Sequence, residues 1–249
     1  MPSTSDMAES APATPCDLSV VIPAFNEGQR IRDTLKRTVA HLGRRFSYEL
    51  IVVDDGSRDD TAGVVESFED ACLLKQPCNR GKGAAVRRGV LAARGKRVLF
   101  MDADLSTPIE EVDKLIDFAA DADVVIGSRR LPSSNILGEQ PLHRRLLGSC
   151  FSALVRALLL GDFSDTQCGF KLFGRDAAEA IFSQQRLDGF AFDVEVLMLA
   201  EQLGYVIKEV PVAWQHSDDS KISPVLDSAS MFRDLVRLKT RQLLAARTT

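Results

Sequence analysis

The sequence predicts an α/β fold with a mostly parallel central sheet flanked by helices. Three observations point there. Short apolar, β-branched runs recur between residues 18 and 127, separated by amphipathic stretches. The runs are uniformly apolar rather than alternating, the pattern of strands covered on both faces. Each run ends in a polar turn, and in open sheets of this kind ligands bind at the carboxyl ends of the strands.

The elements follow in order. The stretch MPSTSDMAESAPATP is rich in Ser, Ala, Pro and Thr, so residues 1–17 read as a disordered tail. It has no positive n-region and no apolar h-region, so it is not a secretory signal. Strands fall at Leu18–Ile22, Leu50–Val53, Val98–Met101 and Val124–Ile126, with a weaker one near Leu73. Helices fit residues 28–42, 60–69, 83–93 and 108–120. Thr107-Pro108 ahead of Glu110 and Glu111 predicts an N-cap followed by Pro at the first helical position. After residue 130 the rhythm changes. A loop (Leu131–Gln140) leads to an apolar helix over roughly 141–160, then to a turn and strand at Asp165–Phe173. Helices near 175–182 and 192–203, a strand near 206–212 and a basic amphipathic helix over 225–246 complete the chain. No internal repeat is visible, and residues 18–249 read as one domain.

Composition bounds the function. The 249 residues are 45% hydrophobic and 27% charged, enough to bury a core. The net charge of −4 and a sequence pI near 5.5 exclude a generally basic, nucleic-acid-coating protein. The five cysteines (Cys16, Cys72, Cys78, Cys150, Cys168) are odd in number and form no C-x-x-C, which favours reduced thiols in a cytoplasmic protein. No run reaches the roughly 20 apolar residues a membrane span needs; the most apolar, Leu146–Leu160, is interrupted by Arg156.

The strand ends carry the chemistry. Asp102 and Asp104 lie one residue apart, just past a buried strand. Such a pair can share a hard divalent cation with water and substrate phosphates; the plain reading is a solvated turn. At Asp54-Asp55-Gly56-Ser57 a carboxylate can accept from a base N–H or a ribose hydroxyl, or simply make an Asx turn capped at Ser57 or Asp60. Asn79-Arg80-Gly81-Lys82-Gly83 opens a helix, where backbone N–H groups suit a phosphate, although a plain loop fits equally. Arg129, Arg144 and Arg145, with Ser149, offer forks for phosphate oxygens; Arg145 and Ser149 share a helix face. Asp165–Lys171, including Gln167, reads as a loop shaped for a ligand. Asp193 and Glu195 open a helix, either favouring its positive end or positioning an acceptor. Cys168 reads as a small packing residue.

As a set these segments resemble family 2 glycosyltransferases of the GT-A fold, a Rossmann-like architecture. VVIPAFNEG, LIVVDDGSRDDT, NRGKGAAVRRG and VLFMDADLSTP appear in order, followed by DVVIGSRR, Arg145-x-x-x-Ser149, DTQCGFKLF, FDVEVLMLAE and Ser220-Lys221. The resemblance covers roughly residues 18–240. DTQCGFKLF followed by FDVE is similar to the dolichyl-phosphate β-glucosyltransferases and their bacterial polyprenyl-phosphate counterparts.

The resemblance implies the following. Residues 18–127 form a nucleotide-sugar half and residues 128–249 an acceptor half. Pro23, Ala24, Phe25, Glu27, Asp54 and Asp55 hold the nucleobase and ribose of a UDP-sugar, with UDP-glucose the first expectation. Lys82 meets the nucleotide and Lys221 closes over the diphosphate. Asp102 and Asp104, with Ser106 beside them, hold Mg²⁺ or Mn²⁺. Arg129, Arg145, Ser149 and Gln167 bind the phosphate of a polyprenyl or dolichyl phosphate acceptor. Asp104, Arg129 and Asp193 are the catalytic candidates. An ionised phosphate hardly needs a general base; a hydroxyl acceptor would need Asp193 or Glu195.

Two apolar helices, Leu142–Leu160 and the C-terminal one, suit either peripheral contact with the cytoplasmic face of a membrane or packing in the core with a solvated face; in the C-terminal helix Met231, Phe232, Leu235 and Leu238 share one arc and Arg233, Arg237 and Arg241 another. The rival readings are a transferase with a soluble hydroxyl acceptor, a sugar nucleotidyltransferase and a non-catalytic nucleotide-sugar binding module. The Gly-rich, Arg-containing signature of nucleotidyltransferases is absent after the first strand, and the intact acidic pair opposes the binding module.

Overall fold

The computed structural model describes residues 16–138, 153–157, 159–215 and 224–245. The predicted strands form first. Those at Leu18–Ala24 (β1), Tyr48–Asp54 (β2), Ala71–Lys75 (β3), Arg97–Met101 (β4) and Val124–Ser128 (β5) are followed by the short Asn135–Leu137 (β6). Phe170–Gly174 (β7), Ile207–Pro211 (β8) and Ala213–Gln215 (β9) complete the set. The helices are Ile31–Leu42 (α1), Thr61–Glu66 (α2), Lys82–Ala92 (α3), Val112–Phe118 (α4), Arg175–Gln184 (α5), Phe192–Gln202 (α6) and Pro224–Ala245 (α7).

Seven strands make one sheet in the order β3-β2-β1-β4-β7-β5-β8. Every pairing is parallel except those of β7, which runs antiparallel between β4 and β5. Alternate residues of a strand face opposite sides. In β1, Val21 joins a core with α3, α5, α6 and α7, while Val20 and Ile22 join a second core on the other face. That two-sided burial is why the strands read as unbroken apolar runs.

The antiparallel β7 has a consequence for the site. Its first residue, Phe170, pairs with Met101 at the end of β4. The loop before β7 therefore arrives at the same carboxyl edge as the ends of β1, β2, β4 and β5. A second ribbon stands beside it: β6 pairs in parallel with β9 inside what the sequence suggests is a loop.

One expectation is corrected, and the last helix divides between the two readings that the sequence leaves open. The helix predicted from residue 108 begins as a 3-10 turn, Ile109–Glu111, and no side chain caps it; the Thr107 hydroxyl instead faces the buried Cys168 sulfur at 3.9 Å. The apolar arc of the last helix is split: Leu235 and Leu238 pack into the core, whereas Phe232 stays exposed. Arg241 likewise meets the buried Glu195 rather than only solvent. Among the described residues no helix is long and apolar enough to cross a membrane.

Candidate active site

The donor side is assembled by loops that hold one another. The Asn26 N–H donates to Ser57 Oγ at 2.8 Å, and Asn26 Oδ1 accepts from the Arg58 N–H. The Glu27 N–H donates to Thr61 Oγ1 at 2.7 Å, while the Glu27 carboxylate pairs with Arg30. Pro23 and Ala24 lie in register with Val53 and Asp54, so the β1 and β2 ends are level; Phe25 follows, half-buried. Asp54 Oδ1 accepts from the Ser57 N–H at 3.0 Å, the Asx turn that the plain reading foresees.

Asp55 does something the sequence does not reveal. Its carboxylate is buried and accepts from the N–H groups of Arg80 and Gly81, both at 2.8 Å, and from Gln76 Nε2 at 2.7 Å. The Ala84 N–H goes to the Asp188 carbonyl. These three amides beside the start of α3 are occupied by protein oxygens, as the plain-loop reading foresees. Two glycines are required by this packing. A Cβ on Gly56 (φ +70°) would lie 2.6 Å from the Cys78 backbone, and one on Gly81 (φ +107°) 2.4 Å from the Asp188 carbonyl. What the tight loop delivers is Lys82.

Lys82 Nζ lies 2.6 Å from Asp102 Oδ1, and 5.7 Å and 6.0 Å from the centroids of the Phe100 and Phe192 rings. Burial works to lower its pKa, but Asp102, Asp193 and Asp104 outweigh that and raise it. Asp102 sits against Gly169, where a Cβ would come within 2.0 Å of its carboxylate, so any larger residue there would displace the Asp102 side chain. Asp104 Oδ1 accepts from the Ser106 N–H at 2.9 Å, and Leu105 between them takes a positive φ of 52°. Ser106 thus steadies Asp104, and the Thr34 hydroxyl steadies the same loop through the Ala103 carbonyl. Burial first, and then Asp102, raise the Asp104 carboxyl above its ordinary pKa.

Beneath this pair lies a second one. Lys171 on β7 is wholly buried; its Nζ donates to Asp193 Oδ1 at 2.5 Å and to the Cys168 carbonyl at 2.6 Å, and lies 5.2 Å from the Phe100 ring centroid. Burial pushes the Asp193 carboxyl up even though Lys171 and Lys82 oppose it. The three acids Asp102, Asp104 and Asp193 face the two lysines Lys82 and Lys171, a surplus of negative charge under a part-exposed opening. That surplus and the strained acid pair fit a divalent cation at Asp102 and Asp104. Among the described residues no three His, Cys, Asp or Glu side chains could hold an ion unaided, and the cation would keep positions for water and phosphate oxygens. Glu195 is elsewhere: it accepts from the Arg186 and Leu187 N–H groups and from Arg241. Cys168 is inert, its thiol pushed up to about 12 chiefly by burial.

The acceptor side centres on Arg129 at the end of β5. Its Nε and Nη2 clasp Asp165 at 2.6 Å and 2.8 Å, and its backbone N–H adds a third bond at 3.0 Å. Asp165 is buried; burial favours its neutral form, but Arg129 outweighs this and holds the carboxyl far below its usual range. The Asp165 and Ser164 N–H groups bind Glu209 on β8, and the Gln167 N–H reaches Asp165 at 3.3 Å. The clasp uses one edge of the guanidinium. Among the described residues its other edge has no hydrogen-bond partner, and the group carries five N–H bonds. Trp214 stacks nearby, its ring centroid 5.7 Å from Arg129 Cζ. Arg145, Ser149 and Lys221 lie outside the described residues. Sequence reasoning singled out the Asp165–Lys171 segment but not the partners of Asp165 and Lys171, and it missed Glu209. Lys171 left a signal: a lone lysine in an apolar strand needs a buried partner.

A parallel sheet with an acid pair and a lysine at its carboxyl edge defines the class: a nucleotide-dependent transferase. Residues 19–182 match the family described as Glycosyl transferase family 2. The chain is 40% identical over 245 residues to the dolichyl-phosphate β-glucosyltransferase of Dictyostelium discoideum, covering 91% of this chain and 75% of that one. It is 35% identical to the human dolichyl-phosphate β-glucosyltransferase, covering 92% and 76%. In fold it matches the glucosyl-3-phosphoglycerate synthase of Mycobacterium tuberculosis, solved with Mn²⁺, UDP-glucose and phosphoglyceric acid, with a TM-score of 0.72 over 90% of this chain and 80% of that one at 21% identity. The chain belongs to glycosyltransferase family 2 and has the GT-A fold.

Proposed function

We propose that this enzyme transfers glucose from UDP-glucose to the phosphate of dolichyl or another polyprenyl phosphate, with inversion at the anomeric carbon. The observation that carries the choice of acceptor is the state of the two carboxylates that a hydroxyl acceptor would need. Asp193 is buried and paired with Lys171, and Glu195 is buried and held by two backbone amides and Arg241, so neither carboxylate is presented to a bound hydroxyl. A phosphate monoester is already largely ionised at neutral pH, its second pKa being about 6, and needs no base. The names of the relatives support the same sugar and acceptor.

The roles follow from position. The interlocked turns at Pro23–Glu27 and Asp54–Ser57 line the donor edge and take the uridine. Asp102 and Asp104 would hold Mg²⁺ or Mn²⁺, which supplies charge neutralisation for the leaving diphosphate. Lys82 is placed to turn from Asp102 toward that diphosphate. Asp193 and Lys171 act through Lys82, so Asp193 is a positioning residue rather than a base. Arg129 presents its free edge to the acceptor phosphate, with Gln167 beside it and Arg145 and Ser149 as further candidates. Catalysis is then positioning and charge stabilisation. We place the enzyme at the cytoplasmic face of a membrane, held peripherally. The test is a screen of UDP- and GDP-sugars with and without a short polyprenyl phosphate, reading released nucleoside diphosphate. Release with UDP-glucose that needs both metal and lipid phosphate is expected; metal-dependent release indifferent to the lipid phosphate would sink the acceptor assignment.

A further inference from the structure

The β6/β9 ribbon stands where no role has been given. All three residues of β6 are exposed, Ile136 at 52% and Leu137 at 49%. Isolated exposed apolar side chains need no explanation; the placement of this one does. Ile136 is in register with Trp214, and partners in register project to the same face of a ribbon. Trp214 is the ring against which Arg129 stacks. The ribbon is fixed at several points. The Val212 N–H and the Ser134 hydroxyl both donate to the Ser128 carbonyl, one residue before Arg129. The Gln215 N–H donates to the Ser106 carbonyl at 2.7 Å, on the loop of the acid pair. The exposed Ile136, the largely buried Trp214 ring and the Arg129 guanidinium are thus neighbours in that order, ending where the acceptor phosphate would sit.

We propose that the Ile136 face of this ribbon seats the first isoprene units of the acceptor, next to its phosphate. The proposal rests on the lipid-phosphate reading above. The ligand's chemistry matches these neighbours: an anion at Arg129, then hydrocarbon on Ile136 beside the largely buried Trp214. Apolar contact there raises affinity for a prenyl chain and gives nothing to a polar acceptor. Leu137 alternates to the opposite face and takes no part.

The experiment compares dimethylallyl, geranyl and farnesyl phosphates as acceptors, with UDP-glucose and Mn²⁺ and without detergent. In the unmodified enzyme kcat/KM should rise about tenfold between one isoprene unit and three. Ile136→Ser should flatten that rise while leaving the one-unit rate and the KM for UDP-glucose unchanged. Leu137→Ser should keep the rise. Both positions are exposed, and unchanged melting curves check that the variants fold. If Ile136→Ser retains the full rise, the seat is overturned. If it loses activity only on vesicle-borne acceptor, the ribbon touches the bilayer and not the chain, which also overturns it. Transfer by the unmodified enzyme to none of the three phosphates would overturn the acceptor reading itself, a different failure from either of these.

Discussion

The donor and acceptor sides of the crevice are built on opposite electrostatic plans. At the donor side acids outnumber lysines, and Asp104 is held in a place that disfavours its charge. At the acceptor side Asp165 is deeply buried yet fully matched by Arg129, and its charge is strongly favoured. On the proposed reading, one side is completed by a cation and a diphosphate, while the other is set before the acceptor comes by an arginine already fixed in direction. A site that must receive charge is kept unsatisfied, and a site that must aim is kept rigid.

The largest expected effect breaks the donor side. Asp104→Asn should lower turnover roughly thousandfold, because diphosphate stabilisation by a metal is worth several kcal/mol. The same substitution should raise the melting temperature of the metal-free protein, since it removes a charge that burial opposes. The sign is checkable: a carboxyl with a raised folded pKa supports the fold below that pKa and loses this support as pH rises through it. A lower melting temperature for the variant would mean that Lys82 already balances the pair.

Next comes the opposite manipulation on the acceptor side. Asp165→Asn should cost about 3 kcal/mol in urea unfolding, because it leaves Arg129 without its buried partner. Here the pH sign is reversed. The depressed Asp165 pKa contributes stability above the ordinary carboxylate range, and that contribution fades as the medium is acidified below about pH 4. The unmodified protein should therefore lose more stability than Asp165→Asn over that window.

A smaller change tests aim alone. Arg129→Lys keeps the charge but loses the fork, so the KM for the lipid phosphate should rise about tenfold with the KM for UDP-glucose unchanged. The smallest effect lies farthest out: Arg241→Ala removes a part-exposed contact to Glu195 and should cost at most about 1 kcal/mol in the same unfolding assay.

Much of this was legible in the chain. The parallel strands, the acidic turns at their ends and the family resemblance all rest on local pattern. What escaped was pairing over distance. Arg129 meets Asp165 36 residues on, Lys171 meets Asp193 22 residues on, and Asp55 binds amides 25 and 26 residues away. No periodicity encodes such partners. The β6 strand escaped for another reason. With three exposed residues it has neither length nor alternation, and only its register with β9 makes it a strand. Ahead of the helix at Lys82, Asp55 supplies an anion to the amides of Arg80 and Gly81, a partner that no local pattern encodes.

The antiparallel strand β7 carries one more consequence. The chain leaves the sheet after Ser128 on β5 and re-enters at Phe170 on the strand hydrogen-bonded to β5, with Ile126 opposite Lys171. Departure and return are neighbours, yet the described ends of the stretch between them are tied to strands far along the chain: β6 pairs with β9, and the Ser164 and Asp165 N–H groups bind Glu209 on β8. A transplant of this stretch between relatives would therefore have to bring those two late strands with it.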